Sequence, residues 1–123
     1  MLLVEYNQKI KALMDVILTE ELGTIRQAAE MIAESIQNDG LFHVFGCGHS
    51  HLLVEEMFCR AGGLVPVNAI FESSVMLHEG GLKSTQIEKL SGYAKHILDN
   101  YRLNIGEVLL IVSTSGINSL PVE

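Results

Sequence analysis

A chain of 123 residues, 48% of them hydrophobic, has room for one domain and ample apolar surface for a core. Its formal charge of −7, from 15 acidic against eight scattered basic residues, argues against a nucleic-acid or anionic-membrane surface, both of which need clustered Lys and Arg. The apolar runs fall far short of the roughly 20 residues that cross a bilayer, and the start lacks a basic segment leading into an apolar one. A soluble, cytoplasmic protein is expected.

From Leu2 to about Leu22 the apolar residues Leu3, Tyr6, Ile10, Leu13 and Ile17 recur at spacings of three and four, which predicts a helix. Leu2, Met14, Val16 and Leu18 widen its apolar face enough to serve a second subunit as well as the body. Gly23 is expected to interrupt it. Thr24 and Gln27 form a capping box for a second helix carrying Ile25, Ala28, Ala29, Ile32, Ala33 and Ile36. Residues 1–39 thus form a helical N-terminal segment, and Asp39-Gly40 turns the chain into the remainder, 40–123.

The next stretch, Leu41 to Ser50, is a Phe- and Val-rich run of strand length that breaks into a glycine turn, Gly46-Cys47-Gly48-His49. A helix from about Ser50 to Arg60 follows, ended by Gly62-Gly63. Leu64 to Phe71 forms a second apolar run, in which Pro66 removes a backbone donor and so favours an edge strand. Glu72 to Lys83 has no clean period and is expected to be a loop. Ser84 to Leu90, capped by Ser84, and Tyr93 to Tyr101 form two short helical pieces divided by Gly92. A third strand covers Val108 to Val112. After it come a hydroxyl-rich turn, Ser113-Thr114-Ser115-Gly116, and a helix start that Ser119 could cap, with Pro121 tolerated in its first turn.

Strands alternating with helical crossovers predict an α/β fold with a doubly wound parallel sheet. Right-handed connections with strand 2 at an edge give the order 2-1-3, which opens a crevice between strands 1 and 3. Both serine- and glycine-tipped turns follow those two strands. The chain stops as the third helix begins and leaves strand 3 unpaired on one side, so further strands of a longer chain, or another chain, are expected to cover that edge.

Ser50, Ser113 and Ser115 can donate hydroxyl hydrogen bonds to phosphate oxygens, while the backbone N–H groups of Gly48, His49 and Gly116 complete a cradle. Serine and glycine are also ordinary turn residues, so the weight rests on both turns falling at one switch point. The turn is not a dinucleotide fingerprint, because His51 stands where the third glycine would be, and there is no Walker lysine. Cys47, His49 and His51, with His43 and Cys59, pose the metal question, yet they span a turn and a helix start with no second ligand cluster, so no metal site is assigned. His43 reads better as a hydrogen-bonded core residue. Cys47 and Cys59 lie about three helical turns apart, too far for a disulfide, and are expected to be reduced thiols.

Gly46-Cys47-Gly48-His49-Ser50 after one strand and Ser113-Thr114-Ser115-Gly116 after another resemble the sugar isomerase (SIS) domain of phosphosugar isomerases and phosphosugar-binding regulators. The resemblance continues through Ser50 to Leu64 and His78 to Ser84 and covers nearly the whole chain as a single domain. It implies an α/β sandwich of which this chain is about the first half, a homodimer or higher oligomer, a phosphorylated sugar as ligand and no cofactor. By position it implies phosphosugar contacts from Gly46, Gly48, His49, Ser50, Ser113, Thr114, Ser115, Gly116 and Asn118, the last standing where several members have threonine.

Aldose–ketose isomerisation moves a proton between adjacent carbons and suits a carboxylate with a raised pKa. Glu55 and Glu56 follow the phosphate turn on one helix but point in different directions, so one at most should face the crevice. Glu56, sharing a face with Leu52 and Cys59, is the favoured candidate, against the reading that both are surface charges. His78 and Glu79, in a glycine-flanked loop, form a second acid/base pair. Arg60 and Lys83 are surface cations within reach of an anion. The expected function is phosphosugar isomerisation; its alternatives are a non-catalytic phosphosugar sensor and a sugar-phosphate lyase or etherase.

Overall fold

A computed structural model describes all residues, 1–123, and divides into two compact units, Met1–Glu34 and Ser35–Glu123. In the first, α1 (Leu2–Val16) runs through a π-helical turn, Ile17–Glu21, into α2 (Leu22–Gln37). Gly23 does not interrupt this helix, and Thr24 lies inside α2 rather than capping it. One glycine costs a helix only about 1 kcal/mol, too little to stop a strongly periodic segment. The irregularity falls earlier, where Thr19 Oγ1 donates to the Asp15 and Val16 carbonyls at 3.0 and 3.2 Å. Such back-bonding competes with the backbone ladder and bends helices. No residue of α1 is buried.

The second unit holds a parallel sheet of three strands in the order β2-β1-β3, as the alternation of strands and helices predicts. β1 (Phe42–Gly46) is central and wholly buried; β2 (Val67–Ala69) and β3 (Val108–Val112) flank it. Phe42 and Val44 face Val67 and Ala69 on one side, and Phe42 to Gly46 face Val108 to Val112 on the other. The strand at Pro66 is indeed an edge and is short: the Pro66 carbonyl accepts from Phe42 N at 2.9 Å, and residue-for-residue pairing runs only from Val67 to Ala69.

Where β1 begins, a polar network joins all three strands. His43, 1% exposed, contacts Glu107 Oε2 through Nε2 and Asn68 Nδ2 through Nδ1, both at 2.9 Å. The Asn68 amide donates, so Nδ1 accepts and Nε2–H points at the carboxylate. Glu107 also accepts from Leu41 N at 3.1 Å and Asn104 N at 2.7 Å. These Asn104 and His43 contacts hold the Glu107 carboxyl down at about 2. His43 is thus a core residue whose polar atoms are satisfied.

A 3-10 turn (Gly48–Ser50) leads into α3 (His51–Met57), which ends at extended Phe58 rather than at Arg60, with Cys59 at φ +47°. The segment expected as a loop contains two further 3-10 turns, Ser73–Val75 and Leu77–Glu79, and α4 starts at Gly81. Ser84 therefore lies within α4 (Gly81–Ile87) and caps nothing; its buried hydroxyl donates to the Val75 carbonyl at 2.8 Å. α5 (Tyr93–Leu98) and α6 (Ser119–Val122) complete the unit, with Pro121 in the first turn of α6 and Asn118 rather than Ser119 at its cap position. Phe45, Cys47, Ile70, Val75, Ile97 and Leu120 pack as the core beneath the ends of β1 and β3.

Candidate functional site

A cavity of about 280 Å³ opens where β1 and β3 end. This is close to the size of small-ligand pockets, about 300–1,000 Å³, and lies at the topological switch point of the sheet. The turn after β1 supplies Cys47, Gly48, His49 and Ser50; the turn after β3 supplies Ser113, Thr114, Ser115 and, just before α6, Asn118. The two loops are brought together because Gly46 and Val112, their last strand residues, pair in register.

Gly46 has to be glycine: a Cβ there would stand 2.8 Å from the Ser50 carbonyl oxygen and 3.2 Å from His51 N, both backbone atoms. Its missing side chain lets the turn fold back over the strand. Gly48, at φ +56°, begins the reversal, and Ser50 N closes it on the Cys47 carbonyl at 3.0 Å. Ser113 Oγ accepts from Gly116 N at 3.0 Å, which shapes the second loop and leaves the Ser113 hydroxyl hydrogen for a ligand. Asn118 makes no side-chain capping bond, so its amide is not committed to α6.

Seven of the expected phosphosugar contacts, Gly48, His49, Ser50, Ser113, Thr114, Ser115 and Asn118, line this one cavity, while Gly46 and Gly116 shape its two loops. The expected acid/base residues are elsewhere. Glu56, exposed, pairs with Arg60, and Glu79 pairs with Lys83, which with Ser73 holds its carboxyl below the usual range. Glu55 lies 3.4 Å from His51 Nε2, and His78 is exposed; none of these four side chains lines the cavity. A seven-residue helix turns Glu55 and Glu56 outward because its buried face is taken by His51 and Val54.

The third wall comes from the segment read as a loop and a capped helix: Leu77, and Ser84, Thr85 and Glu88 on one face of the α4 region. Glu88 is held there through its carbonyl, which accepts from Leu120 N at 3.0 Å. The spacing of Ser84, Thr85 and Glu88 put them on one helical face in the sequence, but nothing local says that this face meets the two serine turns.

Two cysteines differ sharply in environment. Burial, reinforced by the charge of Glu88, pushes the Cys47 thiol up to about 12, whereas Cys59 is exposed. Cys47 therefore stays a thiol at neutral pH and is no nucleophile. Iodoacetamide should alkylate Cys59 and spare Cys47 in the folded protein, read by peptide mass mapping; equal labelling would contradict the buried placement. No three His, Cys, Asp or Glu side chains cluster closely enough to hold a metal ion.

His51 is 2% exposed and packs on Phe71 with ring centroids 5.1 Å apart. Burial lowers its pKa below 6.5, against the opposing pull of Glu55. Its folded pKa is depressed, so the unfolded chain takes up the proton first and stability should fall as pH drops below about 6.5. Urea melts across pH 5–7.5 should show a shallower slope for His51→Phe than for wild type; an unchanged slope would mean that His51 does not titrate in this range.

A parallel sheet with paired serine turns at its switch point defines the class. The chain belongs to the SIS domain family, whose sequence profile matches residues 5–123. It is 46% identical over 122 residues to a UPF0309 protein of Halalkalibacterium halodurans, covering 99% of this chain and 49% of that protein. A UPF0309 protein of Caldanaerobacter subterraneus subsp. tengcongensis is 51% identical over 119 residues, covering 96% and 48%, and one of Geobacillus kaustophilus is 42% identical over 119 residues, covering 97% and 47%. The chain spans about half the length of these curated relatives. No helix is long and apolar enough to cross a membrane.

Proposed function

We propose that this chain binds a phosphorylated sugar in the cavity between the β1 and β3 loops, as part of a phosphosugar isomerase. One observation carries the reading: two turns more than sixty residues apart in sequence place Ser50, Ser113, Thr114 and Ser115 around one opening at the carboxyl ends of adjacent parallel strands. Phosphate is an acceptor at every oxygen, and this side of the cavity offers hydroxyl and backbone donors with no acidic side chain among them. Family membership supports the same ligand class.

A second reading, a non-catalytic phosphosugar sensor, rests on the placement of Glu55, Glu56, His78 and Glu79 outside the cavity, which leaves Glu88 as its one carboxylate. Isomerisation needs a proton-transferring group beside the sugar carbons, and a sensor needs none. Thermal-shift measurements on the full-length protein, with hexose phosphates, amino-sugar phosphates and their unphosphorylated parents, test the binding claim. A ligand at a hundred times its dissociation constant adds about 2.7 kcal/mol. Stabilisation by phosphorylated sugars alone is the expected result, and none with any phosphate would overturn the reading. Aldose–ketose interconversion of the stabilising ligand, followed by NMR, then separates isomerase from sensor. A dimer or higher oligomer belongs to the same proposal, with sedimentation as its check.

A further inference from the structure

The cavity has two chemically opposite sides. The β1 and β3 loops present donors, whereas the α4 side presents acceptors. Ser84 Oγ donates its hydrogen to the Val75 carbonyl at 2.8 Å, and Thr85 Oγ1 donates to the Gly81 carbonyl at 2.9 Å. Both hydroxyl hydrogens on this wall are thus spent within the protein, and what remains for a ligand is oxygen lone pairs. One turn beyond Ser84, half-buried Glu88 adds a carboxylate, which is acceptor-only when ionised.

Glu88 also differs from other acidic residues of the same unit. Glu56, Glu79 and Glu107 are paired with Arg60, Lys83 and His43, and Glu55 lies against His51. Glu88 lines the cavity without an ion-pair partner, the one carboxylate among its lining residues. The neighbouring Cys47 thiol, kept protonated partly by that charge, offers no counter-charge. A carboxylate in a partly buried cavity is stabilised by a positive charge and by several donors at once.

Resting on the phosphosugar reading, we propose that Glu88 is a specificity residue which contacts the sugar end of the ligand and selects sugar phosphates bearing a protonated amino group. An ammonium supplies three donors and one positive charge to a wall that holds only acceptors. A hydroxyl at the same carbon supplies one donor and no charge. The preferred ligand carries its phosphate on the serine loops and its amine toward α4, matching the polarity of the cavity at both ends.

Calorimetric titration of the full-length protein with glucosamine 6-phosphate, glucose 6-phosphate and N-acetylglucosamine 6-phosphate tests this. Wild-type protein should bind the amine about tenfold more tightly than the hydroxyl compound, a modest gain because the site is open to water on one side. The acetylated compound, whose nitrogen is uncharged, should lose that gain. Glu88→Gln should bring the amine down to the affinity of glucose 6-phosphate while weakening glucose 6-phosphate itself far less, because the Gln amide oxygen still accepts from a hydroxyl. Equal wild-type affinity for amine and hydroxyl, or a preference that survives Glu88→Gln, would overturn the assignment to Glu88 and leave phosphate binding intact. Failure of all three phosphates to bind would remove the phosphosugar reading and this inference together. Equal wild-type affinity for amine and hydroxyl overturns the inference even if the variant does not fold.

Discussion

Replacing Ser50 and Ser115 together by alanine is expected to weaken phosphosugar binding at least about a hundredfold while leaving the fold intact. A hydrogen bond to a charged group contributes about 1.5–3 kcal/mol, so losing two removes about 3–6 kcal/mol, or two to four powers of ten in affinity. Neither hydroxyl is used inside the protein: Ser50 joins its turn through its backbone N–H, and the second loop is closed by Gly116 N on Ser113, not on Ser115. Removing two such hydroxyls should shift stability by no more than about 0.5 kcal/mol each. Ser113→Ala is the less clean variant, because it also orphans the Gly116 donor. Titration with the ligand identified by thermal shift, beside a melting curve for the variant, checks both halves. Unchanged affinity would remove the two-loop cradle.

The second large effect is expected on stability. His43→Ala should destabilise the fold by about 2–4 kcal/mol, measured by urea unfolding, because it opens a hole in the central strand and strips Glu107 and Asn68 of a partner at once. Asn68 and Glu107 come from the segments on either side of β1, so one substitution unfastens both neighbours. The same network has an acid limit. The folded pKa of Glu107 is depressed from 4.5 to about 2, chiefly by the Asn104 N–H and by His43. A depressed carboxylate contributes stability that is present above the unfolded value and lost as pH falls from about 4.5 toward 2. Glu107→Gln should therefore flatten the stability profile in that window and leave the remaining acid dependence to other groups. A profile that runs parallel to wild type would show that the contact does not persist in solution.

Much of the fold was legible in the residues. The strand order followed from apolar runs alternating with helical crossovers, the handedness of those crossovers, and Pro66 marking an edge. The meeting of Gly48, His49, Ser50, Ser113, Thr114, Ser115 and Asn118 at one cavity was legible too, since turns at the carboxyl ends of neighbouring parallel strands face the same crevice whatever the side-chain details. His43 was read as a satisfied core histidine, though its partners Asn68 and Glu107 lie 25 and 64 residues away and no local pattern links them.

Where the reading of single residues failed, the cause was a tertiary contact or a local effect too small to govern the chain. Gly23 carried too small a penalty to break its helix. Ser84 looked like a cap because serine before a helical run usually is one, but a buried carbonyl at Val75 was the better partner for its hydroxyl. Glu56 and Glu79 looked available because carboxylates near a phosphate turn are plausible bases; each instead has a cation four residues along its own chain. By itself, then, the order of residues determined the sheet, its switch point and the donor side of the cavity, because these depend on periodicity, chirality and turn chemistry. Only the tertiary structure decided the acceptor side. Thr85 and Glu88 reach the serine loops because α4 packs against the Gly48–Ser50 turn and the Glu88 carbonyl binds Leu120 N, contacts between segments distant in sequence that no local spacing encodes.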